Sequence, residues 1–169
     1  MFGRARKTRD IFITHAWRYH EDWNRLSSML DSYNYRAWRN FSLPWYDPAL
    51  SPATESGGAQ LRWNLESQIV PVDVVLLLSS VFAQQGSRKW IDFEIEIAKK
   101  HSKPIIAIPF WGEIAVLPDI ARIADVTGSW DVTKLLDSID GLTAVPPDTG
   151  EAEGRGPIDS GAPMERTST

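Results

Sequence analysis

Val72-Asp73-Val74-Val75-Leu76-Leu77-Leu78-Ser79 is the stretch on which the fold turns. It is almost continuously apolar and rich in β-branched side chains. A strand without polar alternation has no wet face, so it reads as a central parallel strand covered on both sides. Asp73 interrupts the run, which is far too short to cross a bilayer. Parallel neighbours need long crossover connections, usually helices, and the flanking sequence supplies them.

Downstream, residues 87–101 repeat apolar side chains at helical spacing, and 103–109 form a second buried strand. A short helix over 118–123, a last strand over 124–128 and a closing helix over 131–139 follow. Upstream, Asp10-Ile11-Phe12-Ile13-Thr14-His15 reads as the first strand. His20-Glu21-Asp22-Trp23 opens a helix whose apolar positions are Trp23, Leu26, Met29 and Leu30, and Asp31 to Asn34 close it. Residues 35–40 alternate like an edge strand. A long loop with Pro44, Pro48, Pro52, Gly57 and Gly58 precedes a helix over 61–70. Strand and helix alternate throughout. That order predicts an open, mostly parallel five-stranded sheet with helices on both faces. The organisation is a basic leader over 1–9, one domain over 10–143, and a Pro-, Gly-, Ser- and acid-rich tail over 144–169 that reads as disordered.

The 169 residues suit one domain with a real core. A net charge of −4 argues against a nucleic-acid binder, because Arg4, Arg6, Lys7 and Arg9 are local and read as a solvated leader. Cysteine is absent, which excludes disulfides, thiol nucleophiles and cysteine zinc sites and fits a reducing cytoplasm. No signal peptide and no membrane span are expected. Eight tryptophans need partners for their indole N–H groups, so some are expected to line clefts.

Glu94 stands out. In the 87–101 helix, Trp90, Ile91, Phe93, Ile95, Ile97 and Ala98 share a broad apolar arc, while Asp92, Glu96, Lys99 and Lys100 face the other way. Glu94 falls within the arc, about 40° around the axis from Trp90. A carboxylate there is paired, protonated, or lines a polar cavity. The residues alone leave two readings open: a buried ion pair with Arg36, Arg39 or Arg62, or a site.

The motifs Asp-Ile-Phe-Ile-Thr-His, Asp-Val-Val-Leu-Leu-Leu-Ser, Ser-Arg-Lys-Trp-Ile-Asp-Phe-Glu-Ile and Lys-Pro-Ile-Ile-Ala-Ile, in this order, resemble the TIR superfamily. The loop Asn40-Phe41-Ser42-Leu43-Pro44-Trp45-Tyr46-Asp47-Pro48 is similar to the bacterial TIR-like branch that includes the TIR protein of Thoeris anti-phage defence. The resemblance spans roughly residues 10–139. It implies a flavodoxin-like architecture and an NAD-consuming enzyme of NAD+ glycohydrolase or ADP-ribosyl cyclase type. Such an enzyme cleaves the nicotinamide–ribose bond and makes a cyclic or modified ADP-ribose signal. Catalytic TIR domains carry a glutamate four residues after a tryptophan, and Trp90 and Glu94 match that spacing. Two features depart from the family: Ser87 lies three residues before the tryptophan rather than two, and Ile91 stands where a cysteine is common.

The expected catalytic residue is therefore Glu94. Expected substrate contacts are Trp90, Thr14, His15, Trp17, Asn40, Phe41, Ser42, Trp45 and Ser79, most of them at the carboxyl ends of strands, where open α/β sheets bind ligands. Structural roles compete at each of them: core packing for Trp90, turn chemistry for Asn40 and Ser42, self-association for Trp45. No metal is expected. With no glycine-rich phosphate loop, NAD is expected as a substrate rather than a bound cofactor. Expected partners are NAD, further copies through TIR surfaces, and an effector that senses the product; neither nucleic acid nor membrane is expected. The competing reading is a non-catalytic TIR-type assembly module. A phosphoacceptor receiver domain is disfavoured, because Thr14-His15 and Ser79 stand where it needs acids.

Overall fold

A computed structural model describes residues 6–17, 20–34, 37–42 and 54–144. The elements run β1 (Arg9–Ile13), α1 (Glu21–Tyr33), β2 (Trp38–Asn40), α2 (Glu55–Ile69), β3 (Val74–Leu78), α3 (Ser79–Ala83), α4 (Arg88–Lys100), β4 (Ile105–Ile108), α5 (Pro118–Ile123), β5 (Val126–Thr127) and α6 (Val132–Thr143). The five strands form one sheet in the order β2-β1-β3-β4-β5, and every pair is parallel. This is the flavodoxin-like order. Its switch point lies between β1 and β3, where successive crossovers leave in opposite directions and open a crevice at the carboxyl ends.

The central strand behaves as its composition demands: every residue of β3 is buried. Ile11, Phe12 and Ile13 of β1 and all of β4 join it in the core. Asp73 has a structural task, since its Oδ2 accepts the Asp10 N–H at 2.8 Å and pins the start of β3 to β1. Right-handed crossovers place α1 on one face and α2 with α4 on the other. The packing agrees, with α1 against α6 and α2 against α4.

Several elements differ from expectation. Gly57 and Gly58 belong to the first turn of α2, not to the preceding loop. Thr54 caps that turn, its Oγ1 accepting the Gly57 N–H at 3.1 Å, and the cap outweighs the low helix propensity of glycine. Ser79 and Ser80 open the short helix α3 rather than ending β3. The second strand is confined to three residues and the fifth to two. The expected solvated leader is partly tied down: Arg6 binds Asp137 at 2.7 Å and Asp140 at 2.8 Å on α6, and Arg9 opens β1 and binds Asp140 at 3.1 Å. The expected tail from 145 onward and the proline-rich loop over 43–53 lie outside the described residues.

Candidate active site

The helix α4 buries the arc that its periodicity marks. Trp90, Ile91, Ile95, Ile97 and Ala98 are buried, and Glu94 is buried among them with 0% exposure. Ser87 precedes the helix without a side-chain cap; its hydroxyl meets Gln84 Oε1 at 3.3 Å instead.

Glu94 has no arginine partner among the described residues. Arg39 binds Asp10 at 2.5 and 2.8 Å, and Arg62 lies over the Phe93 ring at 5.8 Å. Arg36 is outside the described residues. Instead, Glu94 Oε1 accepts the backbone N–H of Ala16 at 2.9 Å, and Oε2 is buried without a hydrogen-bond partner among the described residues. Burial pushes the carboxyl up from its ordinary 4.5 to about 8, against the backbone N–H groups of Ala16 and His15, which favour the anion.

The Ala16 donor comes from a rare turn. Ala16 and Trp17 follow β1 with φ of 49° and 58°, left-handed values that side-chain-bearing residues seldom adopt. His15 is buried, and its Nδ1 accepts the Trp17 N–H at 3.0 Å while Nε2 meets Gln68 Oε1 at 3.2 Å. Burial lowers the imidazole pKa from 6.5 to about 4, so the ring is neutral. Its Nδ1 stands 3.9 Å from Glu94 Oε1, too far for a hydrogen bond and, with a neutral ring, no ion pair.

The other expected contacts divide. The ring of Trp17 meets His15 edge-on at 5.1 Å, and its buried indole N–H has no partner among the described residues. Thr14 Oγ1 accepts the Leu78 N–H at 3.0 Å, and Ser79 Oγ donates to the Ile108 carbonyl at 2.6 Å; both hydroxyls bridge strand ends. Asn40 Oδ1 accepts the backbone N–H of Ser42 at 2.9 Å and its hydroxyl at 2.6 Å, the Asx turn that competes with a ligand role. Phe41 packs against the core. Trp90 packs edge-on against Phe93 at 6.5 Å and borders a groove with Arg62, Lys89, Asp92 and Glu96, which Glu94 does not line. Trp45 lies outside the described residues.

Sequence reasoning missed the Ala16 backbone donor, Gln68, and the buried Trp23 indole N–H, which, like the Ser80 hydroxyl, has no partner among the described residues. Nothing in a sequence announces a main-chain donor. Gln68 gave a faint signal, bordering the Leu61, Leu65, Ile69 stripe of α2. Among the described residues, no three His, Asp or Glu side chains are grouped to hold a metal, and no helix is long and apolar enough to cross a membrane.

Comparison with known proteins bears on this arrangement. No curated protein matches the chain. Among solved structures it is similar to that of the Clostridium botulinum CMP N-glycosidase BcmB, at 12% identity and a TM-score of 0.41, over 78% of this chain and 97% of that one. The family model of the Thoeris protein ThsB, TIR-like domain, matches residues 12–114, a span that contains the β1 turn, the switch point and α4. On that match, the chain belongs to the family of the Thoeris ThsB TIR-like domain.

Proposed function

We propose that this protein consumes NAD, cleaving the bond between nicotinamide and ribose with Glu94 as the reacting carboxylate. The observation that carries the reading is a fully buried glutamate held at the carboxyl end of β1, with one oxygen on the Ala16 backbone N–H and the other unengaged among the described residues. The leaving nicotinamide is already cationic. The bond electrons pass to its ring nitrogen as the glycosidic bond breaks, and no general acid is needed. The ribose carbon becomes oxocarbenium-like, and a carboxylate beside it stabilises the charge, strongly so in dry surroundings. Water then attacks and loses a proton to Glu94, or an internal nucleophile attacks and closes a ring. In the Thoeris context the product is a cyclic or modified ADP-ribose signal, read by a separate effector during anti-phage defence.

Glu94 is protonated and sealed in this state. Substrate must therefore open the site, and its positive charge favours the ionised carboxylate. The seal also supports a second reading, an assembly module without turnover. Nicotinamide release from NAD separates the two, measured with purified protein and with extracts of phage-infected cells. The enzyme reading expects release from wild type and a loss of about 100-fold or more in Glu94→Gln. Equal release from both proteins removes Glu94 from the chemistry. Silence in both settings leaves the assembly module.

A further inference from the structure

Left-handed backbone at Ala16 and Trp17 is costly and needs something to hold it. The holder is the imidazole of His15. Its Nδ1 accepts the Trp17 N–H at 3.0 Å, closing a loop between a side chain and the amide two residues on. That is an Asx turn made with a ring nitrogen. The chain uses the same device elsewhere: His20 Nδ1 accepts from Asp22 N–H at 3.0 Å, and Asn40 Oδ1 accepts from Ser42 N–H at 2.9 Å.

A nitrogen that accepts carries no proton, so the ring proton sits on Nε2 and is donated to Gln68 Oε1. The Trp17 N–H, which can only donate, fixes the tautomer, and Gln68 Oε1 accepts the Nε2 proton. The opposite tautomer would set an N–H against the Trp17 N–H and undo the turn. Both ring nitrogens are engaged, and neither has a lone pair left for a substrate proton.

We infer that His15 is a positioning residue for Glu94: held in the Nε2–H form between the Trp17 N–H and Gln68, it builds the turn whose Ala16 N–H fixes one carboxyl oxygen and leaves the other without a partner among the described residues. This rests on the proposed reading of Glu94 and extends it to the machinery behind that carboxyl. It also accounts for an amide at position 68. A carboxylate there would favour the imidazolium, abolish the Nδ1 acceptor, and place a cation 3.9 Å from Glu94.

The test compares His15→Asn, His15→Ala and Gln68→Glu in the full chain. Ring 15N shifts read the tautomer, the Glu94 carboxyl 13C shift reads its titration, and nicotinamide release from NAD reads turnover. Wild type is expected as the Nε2–H tautomer. His15→Asn offers Oδ1 to the same amide and is expected to keep kcat within about threefold, with the Glu94 midpoint unmoved. His15→Ala is expected to lose about 100-fold in kcat with KM little changed, and its Glu94 midpoint to rise as the Ala16 N–H swings away. Gln68→Glu is expected to lower that midpoint through the imidazolium. Should His15→Ala fail to fold, His15→Asn and Gln68→Glu still decide. An Nδ1–H or charged ring in wild type overturns the inference. So does a His15→Asn protein that is inactive while its Glu94 titrates as in wild type, since His15 would then act chemically. If wild type never releases nicotinamide, the enzyme reading falls, yet the two NMR readouts still test the positioning role.

Discussion

Ala16 and Glu94 stand 78 residues apart in the chain, and the backbone N–H of the one is 2.9 Å from the carboxyl oxygen of the other. The contact joins the turn after β1 to α4, the helix that leads from β3 to β4, across the switch point of the sheet. It holds one oxygen of a buried acid without neutralising it. Neutral backbone amides are a weak match for a carboxylate, so desolvation prevails over the Ala16 and His15 N–H groups and Glu94 favours its protonated form.

Stability should carry the mark of this acid. The Glu94 pKa is raised from 4.5 to about 8, so the folded state holds a proton that the unfolded chain has lost, and stability falls as pH rises through that window. His15 acts oppositely: its pKa is lowered from 6.5 to about 4, so its contribution grows as pH rises through that interval. The two slopes cancel between about 4.5 and 6.5, and a net decline remains from about 6.5 to 8. Neighbouring charges on the packed elements are engaged elsewhere: Asp22 with Arg25 on α1, Glu66 with Lys100 and His101, and Asp92 with Arg88 on α4. Thermal melts across pH should show the alkaline decline in wild type and its loss in Glu94→Gln. Parallel curves for the two proteins would place the Glu94 pKa near its ordinary value.

Thr14→Val tests a hydroxyl that the sequence offered as a ligand contact. The substitution is nearly isosteric but strands the buried Leu78 N–H, at a cost of about 1–3 kcal/mol. Tm should fall by several degrees, with Thr14→Ser less affected. Turnover measured well below the melt should stay within about twofold, because the hydroxyl is occupied by the strand end. A tenfold loss in a folded Thr14→Val protein would return this residue to the substrate.

The sheet was legible because the continuous apolar run 74–78 and its neighbours permit little but buried parallel strands. Glu94 was legible for a related reason: helical periodicity exposes a charge on the wrong face. Features set by tertiary context were not. Gly57 and Gly58 read as loop, since the Thr54 cap that recruits them into α2 is a matter of geometry. Ser87 stands at the N-cap position of α4, a capping residue type, yet its hydroxyl turns to Gln84. Thr14 and Ser79 lie at the right ends of the right strands, but position alone does not reveal that the first hydroxyl serves the Leu78 amide and the second the Ile108 carbonyl. Ala16 contributes only backbone, and its left-handed conformation depends on an imidazole acceptor that no residue pattern advertises.

Gly128 should be intolerant of any side chain. A Cβ there would meet Ile106 Cγ2 and Ile108 Cδ1 at 2.8 Å and Leu135 Cδ1 at 3.2 Å, between β4 and α6. Overpacking of this kind costs about 1–3 kcal/mol. Gly128→Ala should lower the midpoint of urea unfolding without changing its slope. Gly141, where a Cβ would meet none of the described residues within 4 Å, is the matched control, and Gly141→Ala should be neutral or slightly stabilising in α6. Equal midpoints for the two variants would show that the isoleucines yield without cost.

The pH dependence of turnover tests the chemistry most directly. The proposed reaction needs Glu94 ionised, and in the free protein that requires pH near 8. The profile of kcat/KM reports the free enzyme, so it should climb with pH and level off above about 8. The profile of kcat reports the complex. There the cationic nicotinamide ribose lies against the carboxyl and favours its anion, so the climb in kcat should come at lower pH than the climb in kcat/KM. His15 does not supply the limb, because its ring is neutral down to about pH 4. His15→Asn should therefore leave both midpoints in place. A kcat/KM profile flat from pH 6 to 9, obtained with an enzyme whose Glu94→Gln variant is inactive, would mean that the sealed carboxyl ionises before substrate arrives, and that the site opens without help from the ligand's charge.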